Sequence, residues 1–396
     1  MAKVLVLDGR QRSTLAVVRS LGRRGIEVVV GEDRFPCLSS SSKYCRGTFQ
    51  YASASAAPQD FMRDLERELQ RHEYKMLLPM TDMTTYLTAA NFDRLSALTM
   101  IPMANKDHYF QSIDKSEVIT LAEKLGIPTP KTYFINGIED VKKLTLIYPM
   151  VIKSRQSKYL KDGKWVEAGV DYAYNLDELI GKLGRWNSSL PLPLLQERIT
   201  GPGEGAFLLF NYGEPRAIFF HRRIREKPLS GGVSVLRESI AVDPHLQDYS
   251  IRLLKALKWH GVAMVEFKHD EKDNLPKVME INARFWGSLQ LAIDAGVDFP
   301  YMLYRMVDEG DVETQFGYRT GIKTRWLLGD VDILVARLFK PESQLRLPPG
   351  YPGRLKSLWE FCKIYQPGTK YEIEKLTDPG PFFNEFKEWF WQLLGR

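Results

Sequence analysis

The sequence has little cysteine and no long apolar run. Its 396 residues include only three cysteines, Cys37, Cys45 and Cys362. Because that number is odd and the spacing fits no zinc ligand set, the sequence predicts neither a disulfide framework nor a structural zinc site. An apolar run of about 18 residues, the length that a membrane-spanning helix needs, is also missing. The first apolar stretch begins too early for a signal peptide and is typical of a strand, so we expect a soluble, cytoplasmic protein.

Blocks of like charge are missing too. Lysine and arginine number 55 and aspartate and glutamate 49, a net charge of +6, but the basic residues are dispersed along the chain. A nucleic-acid binder usually carries a clustered basic stripe, so we expect no nucleic-acid partner and at most small anionic ligands. Hydrophobic residues at 44% and charged residues at 26% are typical of a globular protein. The length exceeds one average domain and predicts two or three packed units.

The order of apolar runs predicts four segments. Short apolar runs alternate with amphipathic stretches at the start of the chain, which predicts a small doubly wound α/β domain over residues 1–104. Residues 8–13 follow its first strand, where such sheets bind ligands, but they lack the three-glycine dinucleotide fingerprint. A second unit over 105–190 starts with a capped helix, and strands dominate a third unit over 191–330. Residues 331–396 are predicted to be a C-terminal extension.

A hairpin in the third unit is the most informative feature. Two apolar runs flank a charged turn centred on Asp273, so antiparallel pairing places Glu266 opposite Glu280. Asn282, two residues further on, points to the same face as Glu280. Two buried carboxylates directly opposite each other repel, and a divalent cation removes that penalty. Oxygen ligands of this kind suit magnesium shared with substrate phosphates, while the alternative is a solvated sheet face.

Three basic residues stand near this hairpin or at helix and strand ends. Arg284 leaves the second hairpin strand just before a helix, where a guanidinium suits an oxyanion or phosphate. Lys115 lies in a first helical turn, where the macrodipole disfavours a cation unless an anion binds there. Lys153 ends a buried apolar run. Together with a magnesium site, these three residues predict a binding site for nucleotide phosphates. The alternative for Arg284 is a surface salt bridge, and the alternative for Lys153 is a side chain that reaches solvent.

The link before the strand-rich unit offers a place for a nucleotide base. Gln196, Glu197, Arg198 and Ile199 follow apolar residues and provide apolar walls and backbone hydrogen-bonding groups for a purine. Glu204, among glycines, can accept hydrogen bonds from ribose hydroxyls. The alternative for Glu204 is a plain turn residue.

A basic strand end leads into a Gly-Gly loop over residues 221–234. We expect a mobile, cationic substrate loop with His221 and Arg223 as catalytic candidates, His221 as a general base. The alternatives are a solvated basic hairpin rim and a structural histidine.

The order and spacing of these residues resemble the ATP-grasp superfamily over residues 105–310. The final Glu280-x-Asn282-x-Arg284 motif is similar to that of biotin carboxylase and the carbamoyl phosphate synthetase large subunit. The pattern from His221 to Ser234 resembles a branch of predicted carboxylate–amine ligases. The fold class that this implies is α/β and α+β, an ATP-grasp fold preceded by a small doubly wound α/β domain.

The resemblance also implies roles for the nucleotide site. Lys115 and Lys153 would contact the phosphates and the adenine edge, the segment from Gln196 to Ile199 the adenine, and Glu204 the ribose. The implied reaction activates a carboxylate as an acylphosphate, which an amine or a thiol attacks with release of ADP and phosphate.

Magnesium is the second cofactor that the resemblance implies. Glu266, Glu280 and Asn282 would hold Mg²⁺, with Mn²⁺ as a substitute. A small-molecule carboxylate and an amine are the expected substrates. The alternatives are an ATP-grasp kinase and a non-catalytic ATP-binding regulatory protein, and a homodimer is compatible with the sequence.

Two positions depart from the family pattern. The loop after Lys153, residues 154–159, is basic and has no glycine until Gly163. D-alanine–D-alanine ligases have an arginine two residues before the first metal carboxylate, where this chain has Met264. Arg284 is therefore expected to carry the oxyanion role.

The C-terminal extension ends in a helix with an apolar face at helical spacing: Phe382, Phe383, Phe386, Trp389, Phe390, Leu393 and Leu394. We expect this helix to dock on the protein's own core. Attachment to a membrane surface or a partner is the less favoured alternative.

Overall fold

The computed structural model describes residues 2–229, 232–345, 347, 351–363 and 368–395. The helices of these residues are α1 (Arg12–Gly22), α2 (Pro58–Arg71), α3 (Asp82–Ala90), α4 (Phe92–Ser96), α5 (Lys106–Ile113), α6 (Lys115–Lys124), α7 (Ile138–Val141), α8 (Leu176–Gly184), α9 (Pro244–Ala256), α10 (Leu289–Ala295), α11 (Phe299–Glu309), α12 (Leu327–Phe339), α13 (Glu342–Leu345), α14 (Arg354–Cys362) and α15 (Gly380–Leu393).

The strands are β1 (Lys3–Val6), β2 (Glu27–Glu32), β3 (Cys45–Gln50), β4 (Met76–Leu78), β5 (Thr132–Phe134), β6 (Met150–Lys153), β7 (Lys158–Lys161), β8 (Lys164–Glu167), β9 (Val170–Ala173), β10 (Leu194–Glu197), β11 (Gly203–Asn211), β12 (Glu214–Lys227), β13 (Val233–Ser239), β14 (Gly261–Asp270), β15 (Leu275–Asn282), β16 (Lys323–Arg325) and β17 (Thr369–Tyr371).

The N-terminal part is a parallel four-stranded sheet in the order β3, β2, β1, β4. Val4, Leu5 and Val6 of β1 are completely buried, as expected where both faces of a parallel sheet are covered. The strand–helix alternation that the sequence predicts for this part is confirmed. Ligands of such sheets bind at the carboxyl ends of the strands, so the loop after β1 is positioned for binding.

The middle part is a four-stranded antiparallel sheet in the order β5, β10, β6, β9. Its apolar core includes Met150 and Ile152 of β6 and Leu179 of α8. The segment after β6 folds into a separate hairpin, β7–β8. The indole Nε1 of Trp165 in this hairpin donates to the carbonyl oxygen of Ala54 at 2.8 Å, so the hairpin contacts the N-terminal part.

The largest sheet has seven strands in the order β15, β14, β11, β12, β13, β16, β17. All its pairs are antiparallel except β16–β17. Phe207 of β11 and Phe219 of β12 are completely buried and lie in the core between this sheet and α11. The predicted hairpin is β14–β15, and it forms one edge of the sheet.

The C-terminal extension is bound to both the large sheet and the N-terminal part. β17 adds a parallel strand to the sheet edge, and Arg19 of α1 then donates to the carbonyl oxygens of Glu372 and Ile373. Arg19 also forms an ion pair with Asp378, and both side chains are buried. These contacts hold the start of α15 against α1.

The apolar face of α15 is only partly covered. Only Pro381 is buried in this helix, while Phe383 is 65% and Leu393 62% exposed. Phe382 and Trp389 are half-buried and lie towards the rest of the protein. The expected docking on the protein's own core therefore involves only part of this face. Of the described helices, none combines the length and apolar character needed to cross a bilayer.

Candidate active site

A cleft of about 690 Å³ lies where the N-terminal part, the large sheet and the C-terminal extension meet. The loop after β1 and the start of α3 form one side, and the face of β12, β14 and β15 forms the floor. Helices α12 and α15 form another side. The lining residues used below are Arg12, Asp82, His221, Arg223, Lys227, Glu266, Glu280, Asn282, Arg284, Ser288, Trp326, Asp332, Glu385, Glu388 and Trp389.

The two predicted metal carboxylates are direct cross-strand neighbours. Glu266 of β14 pairs with Glu280 of β15, as the sequence predicts. This pairing does not arise from a turn centred on Asp273, because the next pair towards the turn is Phe267 with Val278. Met279 is the extra residue of a β-bulge between the two pairs. Both carboxylates are half-buried, with side chains 27% and 29% exposed. They therefore lie together on the cleft floor.

The row of residues across the sheet continues beyond these carboxylates. Gly205 of β11 pairs with Glu266 on one side and with His221 of β12 on the other. A Cβ atom at Gly205 would lie 2.9 Å from Cζ of Phe207, whose ring stacks on His221 at 4.5 Å. Glycine therefore leaves the space that the ring stack under the cleft occupies.

Cations balance the two carboxylates. Lys115 Nζ lies 3.3 Å from Glu280 Oε2, and Arg223 Nη2 lies 3.4 Å from Glu266 Oε2. Burial raises the pKa of Glu280, but Lys115 and Lys153 outweigh it and the pKa is lowered. For Glu266, burial dominates over Arg223 and the pKa is raised. At Glu280 part of the predicted repulsion is therefore relieved without a metal ion, because Lys115 reaches this carboxylate from α6.

Lys153 approaches the same hairpin from β6. Its side chain is only 7% exposed, and its Nζ donates to the carbonyl oxygen of Met279 at 3.3 Å. Burial lowers the pKa of this ammonium group, partly offset by Glu280. Lys115 and Lys153 both come from the middle part of the chain, so they join it to the hairpin of the large sheet.

The predicted adenine segment is β10 and the two residues after it. Gln196 is buried and its Nε2 donates to Thr132 Oγ1 at 3.0 Å, while Glu197 Oε1 accepts from the backbone N–H of Lys131 at 2.9 Å. Ile199 is buried, and Arg198 is exposed with its guanidinium 5.8 Å from the ring centre of Tyr172. The side chains of Gln196 and Glu197 thus have partners within the sheet, and sequence reasoning missed these partners.

Glu204 lies at the start of β11, next to this segment. Its Oε2 is buried and has no hydrogen-bond partner among the described residues, and it lies 3.7 Å from His269 Nδ1. Burial raises the pKa of this carboxyl group, although His269 opposes the shift. A buried acceptor without a donor is suited to a hydroxyl ligand.

Arg284 is held by a residue that its sequence context does not indicate. Its Nη2 lies 3.0 Å from Oδ2 of Asp82, and its Nε lies 2.5 Å from the other carboxylate oxygen. Burial raises the pKa of Asp82, but Arg284 outweighs it and lowers the pKa. The guanidinium lines the cleft in a bidentate pair with the first residue of α3.

His221 is buried beneath the cleft. Its Nε2 lies 2.7 Å from Ser288 Oγ, and its Nδ1 has no partner among the described residues. Burial, and then the charges of Arg237 and Arg223, lower its pKa well below 6.5, so the ring is neutral at neutral pH. Ser288 is a neighbour that sequence reasoning missed.

The strand that carries His221 runs further into the basic segment than expected. β12 extends to Lys227, Arg225 makes a bidentate ion pair with Asp330, and Lys227 pairs with Asp332. The expected substrate loop is therefore strand as far as Lys227, with two of its cations paired to carboxylates of α12, and its mobility stays a prediction. Residues 230 and 231 of the predicted loop lie outside the described residues.

The donor set fits a magnesium ion that also takes phosphate oxygens. In the described part of the chain, no three His, Cys, Asp or Glu side chains lie close enough to form a metal cluster by themselves. Glu266 and Glu280 contribute two carboxylates, and among the described residues the amide of Asn282 has one hydrogen-bond partner, Met264 Sδ, which lies 4.0 Å from Nδ2. Its carbonyl oxygen is therefore free to act as a third ligand.

Comparisons with known proteins agree with this architecture. A family model described as ATP-grasp in the biosynthetic pathway with Ter operon matches residues 216–329. No curated protein matches the chain by sequence.

Three solved structures illustrate the structural similarity. The biotin carboxylase domain of 2-oxoglutarate carboxylase from Hydrogenobacter thermophilus, solved with MgADP, superposes with a TM-score of 0.63 at 16% identity over 81% of this chain and 73% of that chain. L-amino acid ligase from Bacillus licheniformis gives 0.58 at 15% identity over 78% and 74%. N5-carboxyaminoimidazole ribonucleotide synthetase from Thermotoga maritima gives 0.57 at 14% identity over 82% and 79%. The predicted fold class is thereby confirmed.

Proposed function

We propose that this chain is an ATP-dependent ligase of the ATP-grasp type that joins a small carboxylate to an amine, as its family-model match over residues 216–329 and its fold suggest. The observation that carries the proposal is that two lysines of the middle part reach the hairpin that bears the two carboxylates. Lys115 and Lys153 come from the middle part, and Glu266 and Glu280 from the large sheet. The fold and the similarity to a carboxylate–amine ligase such as L-amino acid ligase support it.

ATP would bind between the middle part and the large sheet. The ammonium groups of Lys115 and Lys153 would contact its phosphates and the edge of adenine. The backbone after Gln196, from Glu197 through Arg198 to Ile199, would face the adenine ring. The orphaned Oε2 of Glu204 would accept a hydrogen bond from the ribose. The side chains of Gln196 and Glu197 would support this segment through the partners described above.

Glu266, Glu280 and Asn282 would hold the magnesium ion. When bound, the ion neutralises charge on the transferred phosphoryl group and orients it. Glu266 and Glu280 keep their side chains oriented through Arg223 and Lys115 in its absence. The similar biotin carboxylase domain solved with MgADP supports the choice of ion.

In the proposed reaction a carboxylate oxygen of the substrate attacks the γ-phosphorus of ATP, and ADP leaves. The nitrogen of the amine then attacks the carbonyl carbon of the acylphosphate, phosphate leaves, and the nitrogen loses a proton. Arg223 and Arg284 would stabilise negative charge on the reacting oxygens. His221 is neutral and in contact with Ser288, and it would receive the proton. A thiol nucleophile would follow the same route.

The test is a screen for ADP release with amino acids and small carboxylates, alone and in pairs, at saturating MgATP. We expect phosphate release that requires both an acid and an amine, and its loss in Glu266→Gln. A stable phosphorylated product without an amine requirement would instead indicate a kinase. Binding of MgATP without turnover of any pair would indicate a regulatory protein, and absence of MgATP binding would reject the nucleotide site.

A further inference from the structure

Helix α15 supplies one side of the cleft, facing the loop after β1. Its Glu385, Glu388 and Trp389 line the cleft. The indole Nε1 of Trp326 donates to Glu385 Oε1 at 2.6 Å, and that of Trp389 donates to Asp332 Oδ1 at 2.8 Å. These two hydrogen bonds connect α15 to Trp326 and to Asp332 of α12, and they orient Glu385 and Trp389 in the wall that α15 forms. The C-terminal extension is therefore part of the site and not an appendage.

The two glutamates of this wall have no cation of their own. Oε2 of Glu385 is buried and has no hydrogen-bond partner among the described residues. Glu388 makes no ion pair within the described part of the chain, and it acts on Arg10 only through space at longer range. Arg10 itself is already paired with Glu32 and Asp33.

The neighbouring cations of the wall are also engaged. Arg12 lies 2.5 Å from Glu372 Oε2 and its guanidinium lies 4.0 Å from the ring centre of Trp326. Lys227 pairs with Asp332. An anionic substrate group would thus meet Glu385 and Glu388 on this side of the cleft and, among the described residues that line it, no cation without an ion-pair partner.

The floor of the cleft contrasts with this wall, because each of its carboxylates has an ion-pair partner. Lys115 pairs with Glu280, Arg223 with both Glu226 and Glu266, and Arg284 with Asp82. The carboxylates of the cleft that have no ion-pair partner among the described residues therefore lie on α15. A positively charged ligand gains most at that place.

We propose that α15 forms the subsite for the nucleophile and that it selects an amine carrying a second positive charge, such as a diamine. The inference rests on the proposed ligase function and specifies its amine substrate. One ammonium group binds between Glu385 and Glu388 beside the ring of Trp389, whose face attracts cations. The other end of the molecule then extends towards the cleft floor.

The test uses the full chain with MgADP at pH 8, above the pKa of about 7 of Glu385, and three probes of equal length: 1,4-diaminobutane, 1,4-butanediol and succinate. Of the three probes, we expect only the diamine to raise the melting temperature above that of the protein with MgADP, since it binds the folded state. The double variant Glu385→Gln/Glu388→Gln should weaken the diamine's apparent affinity by about tenfold or more, since two charge-assisted contacts are lost. Glu313→Gln, which changes an exposed glutamate outside the cleft, should leave it unchanged.

The shift caused by MgADP separates the two proposals and controls for folding. If MgADP shifts the melting curve of every variant but the diamine acts no better than the diol, the amine subsite is wrong and the ligase proposal survives. If succinate is the stabilising probe, the predicted sign of the substrate charge is wrong. If MgADP itself has no effect on the unchanged protein, the proposed function fails first.

Discussion

Arg19 of α1 and Asp378 of the C-terminal extension form an ion pair that is buried from solvent. Arg19 Nε lies 2.7 Å from Asp378 Oδ2, and the two side chains are 2% and 1% exposed. Ser42 Oγ and the backbone N–H of Lys43 also donate to the Asp378 carboxylate. The pair connects residues 359 positions apart and fixes the point from which α15 reaches the cleft.

Replacing Asp378 by Asn should destabilise the protein strongly. The Arg19 guanidinium would stay buried without a countercharge, a change that typically costs about 3–5 kcal/mol. Urea denaturation followed by tryptophan fluorescence measures the loss. Glu309→Gln, which breaks the exposed Arg305–Glu309 pair, should leave the curve unchanged. Equal curves for Asp378→Asn and the unchanged protein would contradict the burial of this pair.

Glu280→Gln should lower activity without stabilising the protein in the absence of ligands. Opposed carboxylates alone would predict a gain in stability on loss of one charge. Lys115 instead lowers the pKa of Glu280 in the folded protein. Ionised Glu280 therefore stabilises the folded state at a pH above its pKa in the unfolded chain, and this stabilisation is lost as the pH falls through the folded-state pKa. We expect a small loss of stability at pH 7 and a fall in turnover by roughly a hundredfold or more. A clear gain in melting temperature would show that repulsion from Glu266 outweighs Lys115.

Lys153→Met should separate nucleotide binding from stability. The ammonium group is buried and burial lowers its pKa, so an apolar side chain of similar length should be tolerated in the folded protein. The MgADP-induced rise in melting temperature should shrink by at least about half, since a phosphate contact is lost. Lys161→Met, an exposed lysine of β7, is the matched control and should keep the full rise. A full MgADP shift in Lys153→Met would remove Lys153 from the nucleotide site.

Glu385→Gln should change how stability depends on pH. Burial raises the pKa of Glu385 from 4.5 to about 7, and the charges of Glu374 and Glu372 raise it further. The hydrogen bond from Trp326 and the charge of Arg12 lower it in part. Because the folded state holds this proton more tightly, ionisation costs stability as pH rises from about 4.5 to 7. Over that interval, the free energy of unfolding of the variant should therefore rise relative to that of the unchanged protein. The difference should reach its maximum of about 3 kcal/mol above pH 7. Denaturation curves at pH 5, 6, 7 and 8 test this; parallel curves would contradict it.

Local patterns in the sequence predict the hairpin but not its neighbours. The pairing of Glu266 with Glu280 follows from apolar runs and a charged turn less than twenty residues apart. The bulge at Met279 does not follow from the pattern, and the predicted pairing is correct because the bulge compensates for an off-centre turn. Asn282 similarly follows from strand alternation alone.

Partners from distant segments could not be predicted in this way. Asp82 is 202 residues from Arg284, and Lys115 reaches Glu280 from another part of the fold. Neither pair leaves a periodic trace in the sequence, because ion pairs between units depend on how whole sheets pack. The same reason explains why the apolar spacing of α15 predicted docking, whereas its Glu385 and Trp389 face a cleft.

The late position of β17 in the chain has a consequence for synthesis on the ribosome. Domains generally fold as they emerge, starting from the N-terminus. The parallel sheet with α1 can form early, but Arg19 has no carboxylate partner until residue 378 has been translated. Until then this guanidinium must stay hydrated, which keeps α1 from packing fully. In a nascent chain, the hairpin with Glu266 and Glu280 is therefore translated before α15. The cleft becomes complete only when α15, the last helix described here, has been added.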